Sequence, residues 1–280
     1  MPEIRIDALL PAEMARRAEY IGERKSEAPT LQTFALAILA GAFIAFGAVF
    51  ATTVATGASG ILTYGVTKLF MGLVFCLGLI LVVVGGAELF TGNNLIVMAW
   101  ASGKVTTKGL LRNWGIVYVG NFVGSLVTVG LVFASKQYTS ASGGVGTTVL
   151  SIANGKVVFG FWQALSLGIL CNILVCLAVW LTFSARSTAD KIAAIIFPIT
   201  AFVAAGFEHS VANMYFVPIG LAIKDFDPAF AASTGLDLSR LTWGAFLLNN
   251  LLPVTIGNII GGSVFVAAIY WMIFLRPSKR

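Results

Sequence analysis

The chain has one histidine, His209, among its 280 residues. It lies in Gly206-Phe207-Glu208-His209-Ser210-Val211-Ala212-Asn213, a polar, glycine-containing interruption of a long apolar run. An imidazole titrates near neutrality, so its chemistry there is proton donation, pH gating or hydrogen bonding to an anion. A titratable side chain within an apolar run is costly and usually faces a pathway or a partner. The opposing reading is a histidine that satisfies the local backbone. A second interruption, Gly85-Gly86-Ala87-Glu88-Leu89-Phe90-Thr91-Gly92-Asn93-Asn94, carries Glu88, with Leu89 in the place of the histidine. Glu88 and Glu208 suit either a proton relay or the acceptance of backbone N–H groups freed at the interruptions. Glu208 is also placed to orient His209. Lys156 reads as a solvated loop lysine, or as a lone cation at the mouth of a pathway. The second role raises local anion concentration and weakens with salt. A half-helix N-terminus near either interruption favours an anion.

The other reactive types point nowhere. Cys76, Cys171 and Cys176 all sit in apolar runs and read as small buried hydrophobes. No C-x-x-C or paired-His spacing occurs, so no protein-built metal site or cofactor is expected. One histidine and no ligand cluster argue against an enzyme.

These residues must be positioned by membrane-spanning helices. Hydrophobic residues make up 58% of the chain and charged residues 11%, against about 25% charged in a soluble domain. A soluble enzyme or nucleic-acid-binding module is excluded, since basic residues fall in short stretches between apolar runs. Runs long enough to cross a bilayer lie near 31–56, 66–102, 108–135, 160–184, 190–223 and 246–275. The second and fifth are too long for one plain span, and they hold the two interruptions. Each reads as two helical pieces joined by a break within the membrane. Thirteen of the 18 Lys and Arg residues fall on one side of six crossings, including Arg5, Lys25, Lys104, Arg186 and Lys279. The other side holds Lys68, Lys136, Lys156, Lys224 and Arg240. Both termini are therefore expected in the cytoplasm. Residues 3–27 carry eleven charges and no apolar core, unlike a signal peptide. Leu9, Leu10, Met14, Ala15, Ala18 and Ile21 recur at helical spacing within a segment 1–30. This predicts an amphipathic helix on the cytoplasmic face, acting as an interfacial anchor or as a gating lid.

Residues 31–280 form the transmembrane domain, built from two copies of a three-helix unit at about 31–135 and 160–275. At an offset of 120, Gly86 meets Gly206, Glu88 meets Glu208 and Asn93 meets Asn213. At an offset of 137, Asn113 meets Asn250, Gly120 meets Gly257, Asn121 meets Asn258 and Gly124 meets Gly261. An odd number of spans per copy inverts the second copy, an arrangement that marks transport proteins. Irregular backbone survives in a bilayer only where protein covers it or it lines a polar cavity. Asn121 and Asn258 are expected to bridge the freed backbone groups. The Gly120/Gly124 and Gly257/Gly261 pairs are expected to let helices approach closely.

With these motifs in place, the sequence resembles the formate–nitrite transporter family. The likeness rests on Phe34, Ala37 and Ala40-Gly41-Ala42-Phe43-Ile44 in the first span and on both breaks. It also rests on Leu252-Pro253-Val254-Thr255-Ile256-Gly257-Asn258-Ile259-Ile260-Gly261-Gly262. It covers about Leu10 to Leu275. Leu9-Leu10-Pro11-Ala12-x-Met14-Ala15 and the stretch from Ala178-Val179-Trp180-Leu181 to Ser187 favour its bacterial formate channel branch. At Gly92-Asn93-Asn94 the chain departs from formate channels, which carry small hydroxyl or apolar residues there.

The resemblance implies an all-α, aquaporin-like fold of six transmembrane helices, with helices 2 and 5 broken. It implies a homopentamer with a pore through each protomer and a lipid-filled central opening. It also implies passage of formate, or of nitrite or hydrosulfide, across a bacterial inner membrane. Its pore positions fall on Thr91, Asn172 and His209, with Glu208 beside them and Lys156 in the approach loop. Its hydrophobic constrictions fall on Phe75, Leu79, Leu89, Phe90, Val175 and Phe202. Formate would hydrogen-bond His209 and Thr91 there and accept a proton. A neutral-solute pore of the water and glycerol kind is the competing class, but the Asn-Pro-Ala pair of that class is absent.

Overall fold

The computed structural model describes residues 8–276, which fold into helices with no strand among them. The helices are α1 (Pro11–Glu27), α2 (Thr30–Ala55), α3 (Tyr64–Gly85), α4 (Val97–Ala101) and α5 (Thr107–Ala134). They continue with α6 (Gly144–Lys156), α7 (Phe161–Thr182), α8 (Thr188–Ala204), α9 (Ser210–Phe226), α10 (Pro228–Ser233) and α11 (Trp243–Phe274). Five of them, α2, α3, α5, α7 and α11, are long and apolar enough to cross a membrane. Arg5, Lys279 and Arg280 of the charge count, and the first seven residues of the 1–30 segment, lie outside the described residues.

Both interruptions are real departures from helix. α3 stops at Gly85, and Gly86 follows at φ +75°, a left-handed conformation that glycine adopts without a Cβ penalty. α8 stops at Ala204, and Gly206 repeats the same φ. The pieces are unequal in length. α3 has 22 residues and reaches about 33 Å, a crossing length by itself. After the first break a 3₁₀ turn, Gly92–Ile96, leads into the short α4. In the second unit α8 and α9 have 17 residues each.

The two copies pack by the same device. α5 crosses α2 where Gly124 faces the backbone of Ile38, and α11 crosses α7 where Gly261 faces the backbone of Ile169. A Cβ at either glycine would overlap a carbonyl, so the close approach requires glycine. The mates differ in regularity. α5 is α-helical throughout, whereas α11 contains wide π turns at Phe246–Leu251 and Ile260–Ala268. Pro253, with no N–H to donate, follows the first wide stretch.

α1 corrects the expectation of a membrane anchor. Its apolar face buries Met14, Ala15 and Ala18 against Leu95, Ile96 and Ala99 of the first break and α4. It therefore covers protein rather than lipid. α6 was not foreseen as a helix. It lies at the opposite end of α2 from α1, where Thr56 meets Thr148.

Candidate functional site

The breaks return their backbone groups to two asparagines. The Asn121 amide donates to the carbonyls of Ala37 (2.8 Å) and Glu88 (2.9 Å), and its Oδ1 accepts the Phe90 N–H (2.9 Å). The Asn258 amide donates to the carbonyls of Gly168 (2.8 Å) and Glu208 (3.0 Å), and its Oδ1 accepts the Ser210 N–H (2.9 Å). Each asparagine satisfies two groups of its break and ties them to a carbonyl of the neighbouring intact helix, α2 or α7. Both are fully buried.

His209 caps the N-terminus of α9. Its Nδ1 accepts the Ala212 N–H at 3.1 Å, and its Nε2 lies 2.8 Å from Thr91 Oγ1. With the Nδ1 lone pair committed to a donor, the ring proton belongs on Nε2. Nε2–H then donates to Thr91 Oγ1, which leaves the Thr91 hydroxyl as the free donor between the two breaks. Asn172 adjoins them, but its amide donates to the carbonyls of Thr91 (3.2 Å) and Asn258 (2.7 Å). That amide ties one break to α11. Its Oδ1 is buried without a partner among the described residues.

Neither carboxylate accepts a freed N–H of its break among the described residues. Glu208 makes no hydrogen bond to His209 and accepts no break N–H among the described residues. It instead forms an ion pair with Lys156 at 2.7 Å and accepts the amides of Asn213 (2.6 Å) and Asn250 (3.0 Å). Lys156, expected as a lone cation in a loop, is the last residue of α6 and is neutralised by Glu208. The first copy repeats the cluster. Glu88 pairs with Lys25 at 3.0 Å and accepts the Asn93 amide at 2.6 Å. Asn93 also donates to Asn113 (2.9 Å), as Asn213 does to Asn250 (2.8 Å). The Asn113 amide donates to the Lys25 carbonyl, and the Asn250 amide to that of Lys156. Thus α1 and α6 occupy equivalent places, and the structural unit extends beyond 31–135 and 160–275. The departure at Gly92-Asn93-Asn94 is accommodated: Asn93 serves Glu88, and Asn94 donates to the Phe90 carbonyl and accepts from Ser263.

Two chambers lie near this pair: His209 lines one, Gly92 next to Thr91 lines the other, and Thr91 itself lines neither. The outer chamber, on the α6 face, has a volume of about 530 Å³ and is lined by Phe75, Lys156, Phe202, Glu208 and His209. The inner chamber, under α1, has about 220 Å³ and is lined by Gly22, Lys25, Leu79, Glu88 and Leu89. They share no lining residue. Phe75 and Leu79 stand one turn apart on α3, so the partition is about 6 Å thick along that helix. The Phe75 and Phe202 rings meet edge to face at 5.7 Å, and Phe202 lies 5.9 Å from the His209 ring. Of the six expected constriction residues, Phe75, Phe202, Leu79 and Leu89 reach a chamber. Val175 lines neither chamber, and Phe90 packs its ring on Trp114 and Tyr118 instead. Lys25, Asn113 and Asn250 were missed as site residues. The repeat had already paired the two asparagines.

Comparison with known proteins follows this geometry. The family model described as Formate/nitrite transporter matches residues 12–272. The chain is 49% identical to the formate channel FocA of Escherichia coli (strain K12), over 98% of this chain and 97% of that protein. It is 43% identical to FocA of Haemophilus influenzae, over 92% of each. A solved structure described as a pentameric formate channel with formate bound superposes with a TM-score of 0.82. It has 49% identity and covers 88% of this chain and 98% of its own. An FNT family ion channel matches with a TM-score of 0.79 at 27% identity, over 95% and 99%.

Proposed function

The chain belongs to the formate/nitrite transporter family, and on that premise we propose that it is a homopentameric formate channel with one pathway through each protomer. It is not an enzyme. Formate enters the outer chamber, passes Phe75 and Phe202, meets His209 and Thr91, and leaves past Leu79 and Leu89 into the inner chamber. The observation that carries this reading is the hydrogen bond from His209 Nε2–H to Thr91 Oγ1 at 2.8 Å, which leaves the Thr91 hydroxyl free to donate where one turn of α3 separates the two chambers. A bare carboxylate among Phe and Leu side chains is expensive, and the Thr91 hydroxyl, held by His209, replaces part of its lost hydration. His209 acts as a neutral donor in this reading, not as the proton source. A doubly protonated ring would turn an Nδ1 donor against the Ala212 donor. Any proton that accompanies formate comes from water in a chamber.

The same reading has six crossings, the fifth made by α8 and α9, with both breaks near the middle of an inner membrane. The termini lie in the cytoplasm, so the inner chamber faces the cytoplasm and α1 closes it. α1 is held by Lys25 on Glu88 and by Lys104 on Glu19 at 2.6 Å. Lys25→Gln is expected to speed hydrogen exchange of residues 11–27 about fivefold, for the loss of about 1 kcal/mol, and to raise formate current. If neither changes, α1 is a fixed part of the fold and the lid is abandoned.

The test of the function is anion current in liposomes, measured with formate, nitrite and hydrosulfide from about pH 4 to 8. Formate current is the expected result. Nitrite or hydrosulfide current without formate current replaces the substrate and keeps the channel.

A further inference from the structure

The two chambers match in charge except at one residue. The charged side chains lining the inner chamber are Lys25 and Glu88, which pair. The outer chamber has the equivalent pair, Lys156 and Glu208, and in addition Lys68. Lys68 stands near the start of α3, half-buried in the chamber wall. At the repeat offset of 120 its mate is Thr188, which carries no charge. No carboxylate lies within ion-pair distance of Lys68 among the described residues. Its ammonium rests over the Tyr64 ring, 5.6 Å from the centroid. A ring orients a cation without cancelling its charge.

Resting on the channel reading above, we propose that Lys68 is the anion-recruiting residue of the outer chamber. Lys156 has the position expected of an attractor, but Glu208 at 2.7 Å cancels its charge at a distance. Lys68 leaves the outer chamber one positive charge in excess, within low-dielectric walls that concentrate its field. The inner chamber has no such excess in its lining. The field is thus one-sided, and it favours anions approaching from the α6 face. Part of the ammonium remains in water, so it attracts a monovalent anion without holding it.

At equilibrium a passive channel cannot favour one direction, so the asymmetry has to be read under voltage. The experiment is a planar bilayer with equal formate on both sides, about 10 mM ionic strength, and oriented protein. Orientation is fixed by protease access to α1. In wild type, the current of anions driven in from the α6 face exceeds the opposite current. Lys68→Gln lowers the first current about two- to fivefold and changes the second much less. Lys68→Arg keeps the wild-type ratio. Added impermeant electrolyte near 1 M removes the difference between wild type and Lys68→Gln.

An equal loss in both directions, or a loss that survives 1 M electrolyte, overturns the proposal and makes Lys68 structural. An unchanged current ratio also overturns it and leaves Lys68 as a lysine anchored at the headgroups. The series is run with nitrite as well. A wild type that carries nitrite and not formate overturns the formate reading alone, and the Lys68 comparison is then read on nitrite. A wild type without anion current overturns both.

Discussion

His209→Phe is expected to lower formate current about ten- to a hundredfold, while His209→Gln keeps most of it with an unchanged pH profile. The argument rests on which nitrogen holds the proton. Ala212 N–H occupies Nδ1, so Nε2–H is the group presented beside Thr91. Phe keeps the ring volume but removes the donor and leaves both Thr91 and the Ala212 N–H short of a partner. A hydrogen bond to a charged group contributes about 1.5–3 kcal/mol, which sets the expected loss. The side-chain amide of Gln presents an N–H near the place of Nε2 without titrating. If the central role is a neutral donor, Gln restores it. If His209 is instead the proton source, Gln behaves like Phe and flattens the pH profile. Formate currents of the three proteins, recorded from about pH 4 to 8, decide between the two.

Lys156→Met is expected to destabilise the protomer by about 3–5 kcal/mol, more than the double change Lys156→Met with Glu208→Gln. The Glu208 side chain is only 4% exposed, and Lys156 is 15% exposed. Removing the ammonium leaves a buried carboxylate supported by the amides of Asn213 and Asn250 alone. Removing both charges leaves an amide that can still bond those asparagines. With Glu208→Gln measured alone as well, the departure of the double change from the sum of the two single changes measures the pair. The equivalent pair Lys25–Glu88 is more exposed, at 27% and 13%, so the matching variants should show the smaller coupling. Survival of the folded oligomer after graded heating in detergent gives the ranking. A double variant less stable than Lys156→Met would show that the pair is not what holds α6 to the second break.

Much of this site was legible in the sequence. The repeat offsets placed Asn121 and Asn258 at the breaks, and both bridge broken backbone. The offsets also singled out His209 as the group without a mate. The constriction residues were less legible. Leu89 lines the inner chamber while its neighbour Phe90 packs on Tyr118. A break has no helical period, so nothing in the residue order says which of two adjacent apolar side chains faces the pathway. The charge pairing was not legible either. Lys25 and Lys156 are separated by 131 positions, the glutamates by 120, and Asn113 and Asn250 by 137. Loops of different length absorb those differences, so no single alignment brings the three together.

The sequence by itself determined the membrane class, the helical fold and the positions of both breaks. Each of these depends on residues close together in the chain: an apolar run and the glycines that interrupt it. Only the tertiary structure decided that Lys156 is neutralised, that His209 presents Nε2–H, and that Lys68 is left as the excess charge of one chamber. Those outcomes depend on which polar groups from separate helices come within hydrogen-bonding distance. In a low-dielectric interior, a few ångströms decide whether a charge is cancelled or acts.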